Sequence, residues 1–114
     1  MLHEGSCHCG DIAFTVEADF TEGLDCNCSM CRRRGALLAF VPATAFELTS
    51  SKNVGTYSFN THKLQHHFCT TCGIAPFTEG QAPDGTATRA INLRCVPDID
   101  LDSLKIVKWD GASH

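Results

Sequence analysis

Three cysteines fall within six residues at Cys26-Asn27-Cys28-Ser29-Met30-Cys31, and Arg32, Arg33 and Arg34 follow at once. Spacings this tight oppose disulfide pairing within the group. They suit joint coordination of one small cation. In an extended backbone residues i and i+2 project to the same face, so Cys26 and Cys28 present both sulfurs on one side. A tight turn through Ser29 and Met30 then brings Cys31 round to the same point. A soft divalent ion, Zn²⁺ first, matches such thiolates at about 2.3 Å each. Three ligands leave one tetrahedral corner, and catalytic zinc sites keep such a corner for water or substrate, whereas structural sites are closed. Three thiolates on Zn²⁺ sum to a negative charge that an incoming thiolate deepens, so positive charge is needed nearby. The three arginines supply it. Two other readings stand beside this one: Cys95 or a histidine closes the site and makes it structural, or the arginines form only a solvated basic turn.

Four more cysteines lie in two pairs, Cys7/Cys9 inside Gly5-Ser6-Cys7-His8-Cys9-Gly10 and Cys69/Cys72 inside Phe68-Cys69-Thr70-Thr71-Cys72-Gly73. The Cys69–Cys72 knuckle is a common half of a tetrahedral zinc site, with glycine permitting the turn behind it. The seven clustered cysteines divide into four plus three. Cys7, Cys9, Cys69 and Cys72 complete one all-thiolate site that ties the first loop to a hairpin far along the chain. Closing so long a loop costs entropy, but a structural zinc contributes roughly 10–16 kcal/mol of apparent binding energy. That exceeds the usual total stability of a small domain, so the metal is expected to be part of the fold. A thioredoxin-like redox role for Cys69 and Cys72 is the alternative, and the strand-rich context lacks the βαβ pattern it wants. Cys95 stands alone and reads first as an inert, half-buried thiol.

The elements that must position these residues are mostly short strands. Ile12, Phe14 and Val16 alternate with Ala13, Thr15 and Glu17, the period-2 signature of a half-buried strand. Asp19 to Gly23 reads as a loop entering the central cluster. Ser29 is a candidate N-cap for a short helical turn through the arginines, with Gly35 ending it. Leu37-Leu38-Ala39-Phe40-Val41 is an apolar run that reads as a buried strand stopped by Pro42, and Pro42 to Phe46 suits one helical turn. Val54 to Phe59 and Lys63 to Phe68 read as a hairpin turning at Asn60-Thr61-His62. Ile74 to Phe77 leads into a strand, and Pro83-Asp84-Gly85 marks a turn. Thr88 to Cys95 and Ile106 to Trp109 are further strands, with a short turn near Leu101–Leu104. Seven or so strands with little helix indicate a mainly β fold. Phe40, Phe68, Phe77 and Trp109 are core or pocket wall.

The totals agree with one domain over residues 1–114. The chain has 43% hydrophobic and 19% charged residues, an ordinary globular balance. Its net charge of −4 argues against a general nucleic-acid binder. Met1 to Gly5 carries neither a basic region nor an apolar run, so no signal peptide is expected, and no apolar stretch reaches membrane-spanning length. The expected setting is the cytoplasm, where eight cysteines stay reduced and metal binding is favoured over disulfides. His62, His66 and His67 precede the Cys69 knuckle. His66 and His67 face opposite sides if they lie in a strand, so one of them points toward a zinc site as ligand, proton carrier or hydrogen-bond donor, or each is a cross-strand polar residue.

With these residues in view, the chain resembles the glutathione-dependent formaldehyde-activating family, also called centromere-protein-V-like. Gly5-Ser6-Cys7-His8-Cys9-Gly10, Cys26-Asn27-Cys28-Ser29-Met30-Cys31-Arg32 and His67-Phe68-Cys69-Thr70-Thr71-Cys72-Gly73 carry the resemblance in type, order and spacing. It implies an Mss4-like, tent-shaped fold of packed antiparallel sheets with two zinc ions. It implies that Cys7, Cys9, Cys69 and Cys72 hold a structural zinc, and that Cys26, Cys28 and Cys31 hold an open zinc where a thiol such as glutathione binds. The implied activity is carbon–sulfur lyase chemistry, joining glutathione and formaldehyde into S-hydroxymethylglutathione or acting on a related thiol and carbonyl pair. Cys26, Cys28, Cys31 and Arg32 are the residues expected to carry it. His62, His66 or water is the candidate general acid. The rival from another class is a non-catalytic zinc-stabilised binding module that meets a partner through its arginine edge; a third is a metal store or thiol redox sensor. The oligomeric state is left open.

Overall fold

A computed structural model describes residues 1–59 and 64–113. Its strands build two sheets. Leu2–Ser6 (β1), Ile12–Glu17 (β2) and Phe46–Ser51 (β5) form a three-stranded antiparallel sheet in the order β1-β2-β5. The larger sheet takes Glu22–Cys26 (β3), Leu38–Pro42 (β4), Val54–Tyr57 (β6), Gln65–Cys69 (β7), Phe77–Gln81 (β8), Ala87–Asn92 (β9) and Lys105–Trp109 (β10). Its order is β10-β3-β4-β9-β8-β7-β6. Every pairing is antiparallel except that of β10 with β3, which runs parallel. The mainly β, packed-sheet architecture expected from the strand spacing is therefore observed.

The core lies between the sheets. Ile12, Phe14 and Val16 alternate inward from β2 and are fully buried. They meet Val41, Phe77 and Ile91 of the large sheet. Phe46 bridges the layers, its ring 5.1 Å from that of Phe14 and 4.8 Å from that of Phe77. Among the described residues no helix is long and apolar enough to cross a membrane.

Several local readings change. β1 and β5 read poorly as strands because little of their surface is apolar. β1 hides His3 and Gly5 rather than aliphatic residues, and β5 is largely exposed. Gly5 is required there: a Cβ would sit 2.3 Å from the Phe14 ring. The loop expected over Asp19–Gly23 gives way to β3 from Glu22, because the parallel partner β10 supplies hydrogen bonds that local propensity does not reveal. Thr88–Cys95 is not one strand. It ends at Asn92, whose side chain accepts from the Arg94 N–H and starts a 3-10 turn over Leu93–Cys95. The hairpin turn expected at Asn60-Thr61-His62 lies outside the described residues, as does Lys63.

The helical turn after the cysteine cluster, Cys31–Arg34 (α1), ends at Gly35 in the left-handed conformation (φ 71°), as expected. Its start differs. Ser29 makes no cap; the Cys28 sulfur accepts the Cys31 N–H at 3.3 Å and takes the role usually given to a side-chain oxygen. Pro42 likewise closes β4 and precedes the 3-10 turn Ala43–Ala45 instead of opening it from within.

Candidate functional site

The loop between β1 and β2 carries Cys7 and Cys9, while Cys69 ends β7 and Cys72 lies in the turn that follows. All four sulfurs lie within 4.8 Å of one another. Cys9 Sγ is 3.8 Å from Cys7 Sγ and 3.6 Å from Cys69 Sγ. Four sulfurs placed 2.3 Å from a tetrahedral centre are separated by about 3.8 Å, whereas a disulfide needs about 2.05 Å. The donor set therefore fits a metal ion and not a bond. Backbone amides aim at the sulfurs as well: Ile12 N–H donates to Cys7 at 3.3 Å and Cys72 N–H to Cys69 at 3.4 Å. The amides of Ile74 and then Cys9 bring the Cys72 thiol down to about 6. The Asp11 carboxylate fastens the surrounding loops by accepting from Asn53 at 3.0 Å and Thr71 at 3.1 Å.

The second cluster has three members. Cys26 ends β3, Cys28 lies in the following turn and Cys31 opens α1, with their sulfurs again within 4.8 Å of one another. Among the described residues no fourth histidine, cysteine or carboxylate atom joins that group. Burial pushes the Cys31 thiol up, with the neighbouring Cys28 thiol adding to it. Burial is the largest influence on Cys28 and opposes its ionisation, but hydrogen bonds from the Cys31 amide, the Cys31 and Cys26 thiols and the Met30 amide together outweigh it and bring that thiol down. Cys95 is not here. It is buried beside Cys7 and Cys72, on the side of the four-sulfur cluster, and burial lifts its thiol to about 11.

Seven sequence-singled cysteines are thus brought together in two groups, each able to hold a metal ion and each compatible with zinc. The second group opens onto a cavity. This cavity, about 420 Å³, lies on the face of the large sheet turned away from the core. Alternation in the strands produces it. On β4, Val41 enters the core while Leu38 and Phe40 line the cavity; on β9, Ile91 enters the core while Thr88 and Ala90 line it. Phe59, Leu64, Phe77 and Trp109 complete an apolar wall around Cys26, Cys28 and Cys31.

Besides the cysteines, four polar side chains interrupt that wall: Arg34, His66, Thr78 and Thr88. Arg34 lines the cavity, while Arg32, the arginine singled out by its motif, does not. Two residues apart on a helix, they point to nearly opposite sides. His66 of β7 also lines it and is 5% exposed. Its Nδ1 lies 3.1 Å from the Thr78 hydroxyl, its ring stacks 5.5 Å from Phe59, and its Nε2 is buried with no hydrogen-bond partner among the described residues. Burial, then the Arg34 charge, lowers its pKa to about 4, so the ring is neutral near pH 7. His67 turns the opposite way, its Nδ1 2.9 Å from Thr56 and its Nε2 3.3 Å from Glu79. His62 lies outside the described residues. A shallower depression shares Met30, Arg34 and Phe59 with the cavity and adds Ser29, Arg33 and Tyr57.

Sequence reasoning missed a strap that packs against the three-sulfur cluster. After β10 the chain turns over the three-sulfur cluster, and Gly111 lies so close that a Cβ would sit 2.5 Å from Cys26 Sγ. Asn27, between two of the cysteines, holds this strap. Its backbone N–H donates to the Trp109 carbonyl at 3.1 Å and its side-chain NH₂ to Asp110 at 3.0 Å, while its side-chain oxygen accepts from the Ala112 N–H at 2.9 Å. An asparagine flanked by metal-spaced cysteines was the available signal, but its partner is 83 residues away.

Fold and site together define a mainly β protein with two cysteine clusters, one shared between two loops and the other opening onto an apolar cavity. The sequence model of the glutathione-dependent formaldehyde-activating enzyme family matches residues 2–101, and the chain belongs to that family. A crystal structure of a Rhodobacter sphaeroides protein, determined as a structural-genomics target, is similar at 31% identity and a TM-score of 0.79. The likeness covers 93% of this chain and 98% of that one. Family membership places the function in glutathione-dependent, formaldehyde-related chemistry in general. The strap, with Trp109 and Gly111, lies beyond the matched residues.

Proposed function

We propose that the chain is a zinc-dependent carbon–sulfur lyase-type enzyme that joins a small thiol, glutathione first, to a carbonyl compound such as formaldehyde, or reverses that step. The observation that carries this reading is the three-sulfur group in the cavity wall, with no fourth protein donor among the described residues. Cys7, Cys9, Cys69 and Cys72 would hold a structural zinc, and Cys26, Cys28 and Cys31 a second one. Bound there, zinc supplies a Lewis acid that favours the thiolate form of an incoming thiol.

The protein's own side chains do the rest. Arg34 faces the cavity and offsets the negative charge that gathers at the sulfurs. Arg33 and Arg34 beside the shallow depression suit the carboxylates of glutathione, with the thiol reaching across Met30 toward the cluster. The apolar wall excludes water and holds the carbonyl carbon near the sulfur, which matters because a metal-held thiolate is a weaker nucleophile than a free one and placement must supply part of the rate. Arg32, outside the wall, acts on this reading only through the general field of the basic turn.

Cobalt substitution tests it. In Co²⁺-loaded protein, glutathione should change the thiolate-to-cobalt absorption of one site and leave the other unaltered. Cys28→Ala should abolish that change and activity together while the chain stays folded. Full activity and two bound metals in Cys28→Ala would exclude the mechanism, and a spectrum indifferent to glutathione would favour the non-catalytic binding module.

A further inference from the structure

The cavity is too large and too apolar for the smallest carbonyl compound. Formaldehyde is scarcely bigger than water, whose share of liquid volume is about 30 Å³, whereas the cavity offers about 420 Å³. That is the size of a small-ligand pocket. Glutathione does not account for the remainder. Its charged ends match the arginines, and the apolar wall of Leu38, Phe40 and Ala90 offers them nothing. Within that wall sits one unpartnered polar atom, His66 Nε2. A buried polar atom without a partner costs free energy unless a ligand supplies one.

We propose that the cavity binds an apolar aldehyde, aromatic or branched aliphatic, whose carbonyl oxygen accepts a hydrogen bond from His66 Nε2 while its carbon faces the three-cysteine cluster. Binding in this pose takes the tautomer in which the Thr78 hydroxyl, 3.1 Å away, donates to His66 Nδ1, so that the neutral ring carries its own proton on Nε2 and that atom is a donor. The hydrocarbon part lies against Phe40, Phe59 and Trp109. This rests on the thiol-addition reading above and names its second substrate. In the reaction the thiol sulfur forms a bond to the carbonyl carbon, the π pair moves to oxygen, and the thiol's proton ends on that oxygen. The product is a thiohemiacetal, with nothing oxidised or reduced.

Trp109 is the only tryptophan, so its fluorescence reports the cavity. Titrating the zinc-loaded protein with benzaldehyde should quench it saturably, at a concentration at least tenfold below that needed for acetaldehyde. Thr88→Phe, which fills the cavity from β9, should weaken the benzaldehyde response at least tenfold. His66→Phe should weaken benzaldehyde about tenfold, the equivalent of one hydrogen bond, and leave toluene unchanged. The proposal is overturned by quenching that does not saturate, by a response that survives Thr88→Phe, or by equal losses for benzaldehyde and toluene in His66→Phe. The cobalt spectrum with glutathione separates the two readings. A spectrum that responds while Trp109 does not removes the aldehyde site and spares thiol addition. Saturable, His66-dependent quenching with an indifferent spectrum removes thiol addition and leaves the aldehyde site standing.

Discussion

The two cysteine clusters use the same local device and differ in what surrounds it. In each, a Cys-x-x-Cys turn aims the N–H of its second cysteine at the sulfur of its first, 3.4 Å for Cys72 to Cys69 and 3.3 Å for Cys31 to Cys28. Around the first, two loops distant in sequence contribute two sulfurs each, with Cys7 and Cys69 fully buried beneath them. Around the second, all three sulfurs come from one segment and the space beside them is a cavity. A metal held across a long loop removes chain entropy and therefore stabilises the fold. A metal held by one short segment removes little, which leaves it available for chemistry.

Substitutions should separate the two. The largest effect is expected from Cys69→Ser, which leaves the long-range site short of one thiolate. With roughly 10–16 kcal/mol of apparent metal binding set against about 5–15 kcal/mol of total stability, the variant should lose its cooperative thermal transition, while Cys28→Ala keeps one. Circular dichroism melting of both checks this, and equal loss in the two variants would dissolve the distinction. A smaller effect is expected from Gly111→Ala. The added methyl meets Cys26 Sγ, so affinity of the three-sulfur site should fall by roughly 10–100-fold, the range typical of disturbed supporting contacts, with the other site unchanged. Competition with a chromophoric chelator would resolve the two affinities.

The smallest effect is a pH slope. His66 binds its proton near pH 4 in the folded chain against 6.5 when unperturbed. Between these values the unfolded chain holds more protons, so stability should fall as pH drops from about 6.5 toward about 4 and be flat above. Denaturant midpoints across that range should show the slope in the native chain and a shallower one in His66→Gln. An identical slope in both would assign it to other groups.

Much of this was legible in the residues. The cysteine spacings grouped the sulfurs as the structure does, because metal ligation is a local pattern repeated along the chain. The alternation of Ile12, Phe14 and Val16 gave β2, and Gly35 gave the end of α1. What escaped depends on distant partners. β5 shows solvent most of its surface, and β3 owes its length to β10, a partner some 80 residues on, so neither is marked by its own apolar pattern. That Arg34 and not Arg32 lines the cavity follows from which side of a single helical turn faces it, and composition is silent about that. The cavity was half legible. An uninterrupted Leu37–Val41 run means apolar contacts on both faces, and the second set lines a cavity rather than more core.

That division of β4 and β9 has an evolutionary reading. Val41 and Ile91 answer to the packing of the sheets, while Leu38, Phe40, Thr88 and Ala90 answer to whatever fills the space behind them. Drift at alternate codons can therefore retune ligand preference while the scaffold and its sulfur ligands stay fixed. A lineage built this way can diversify its chemistry without refolding.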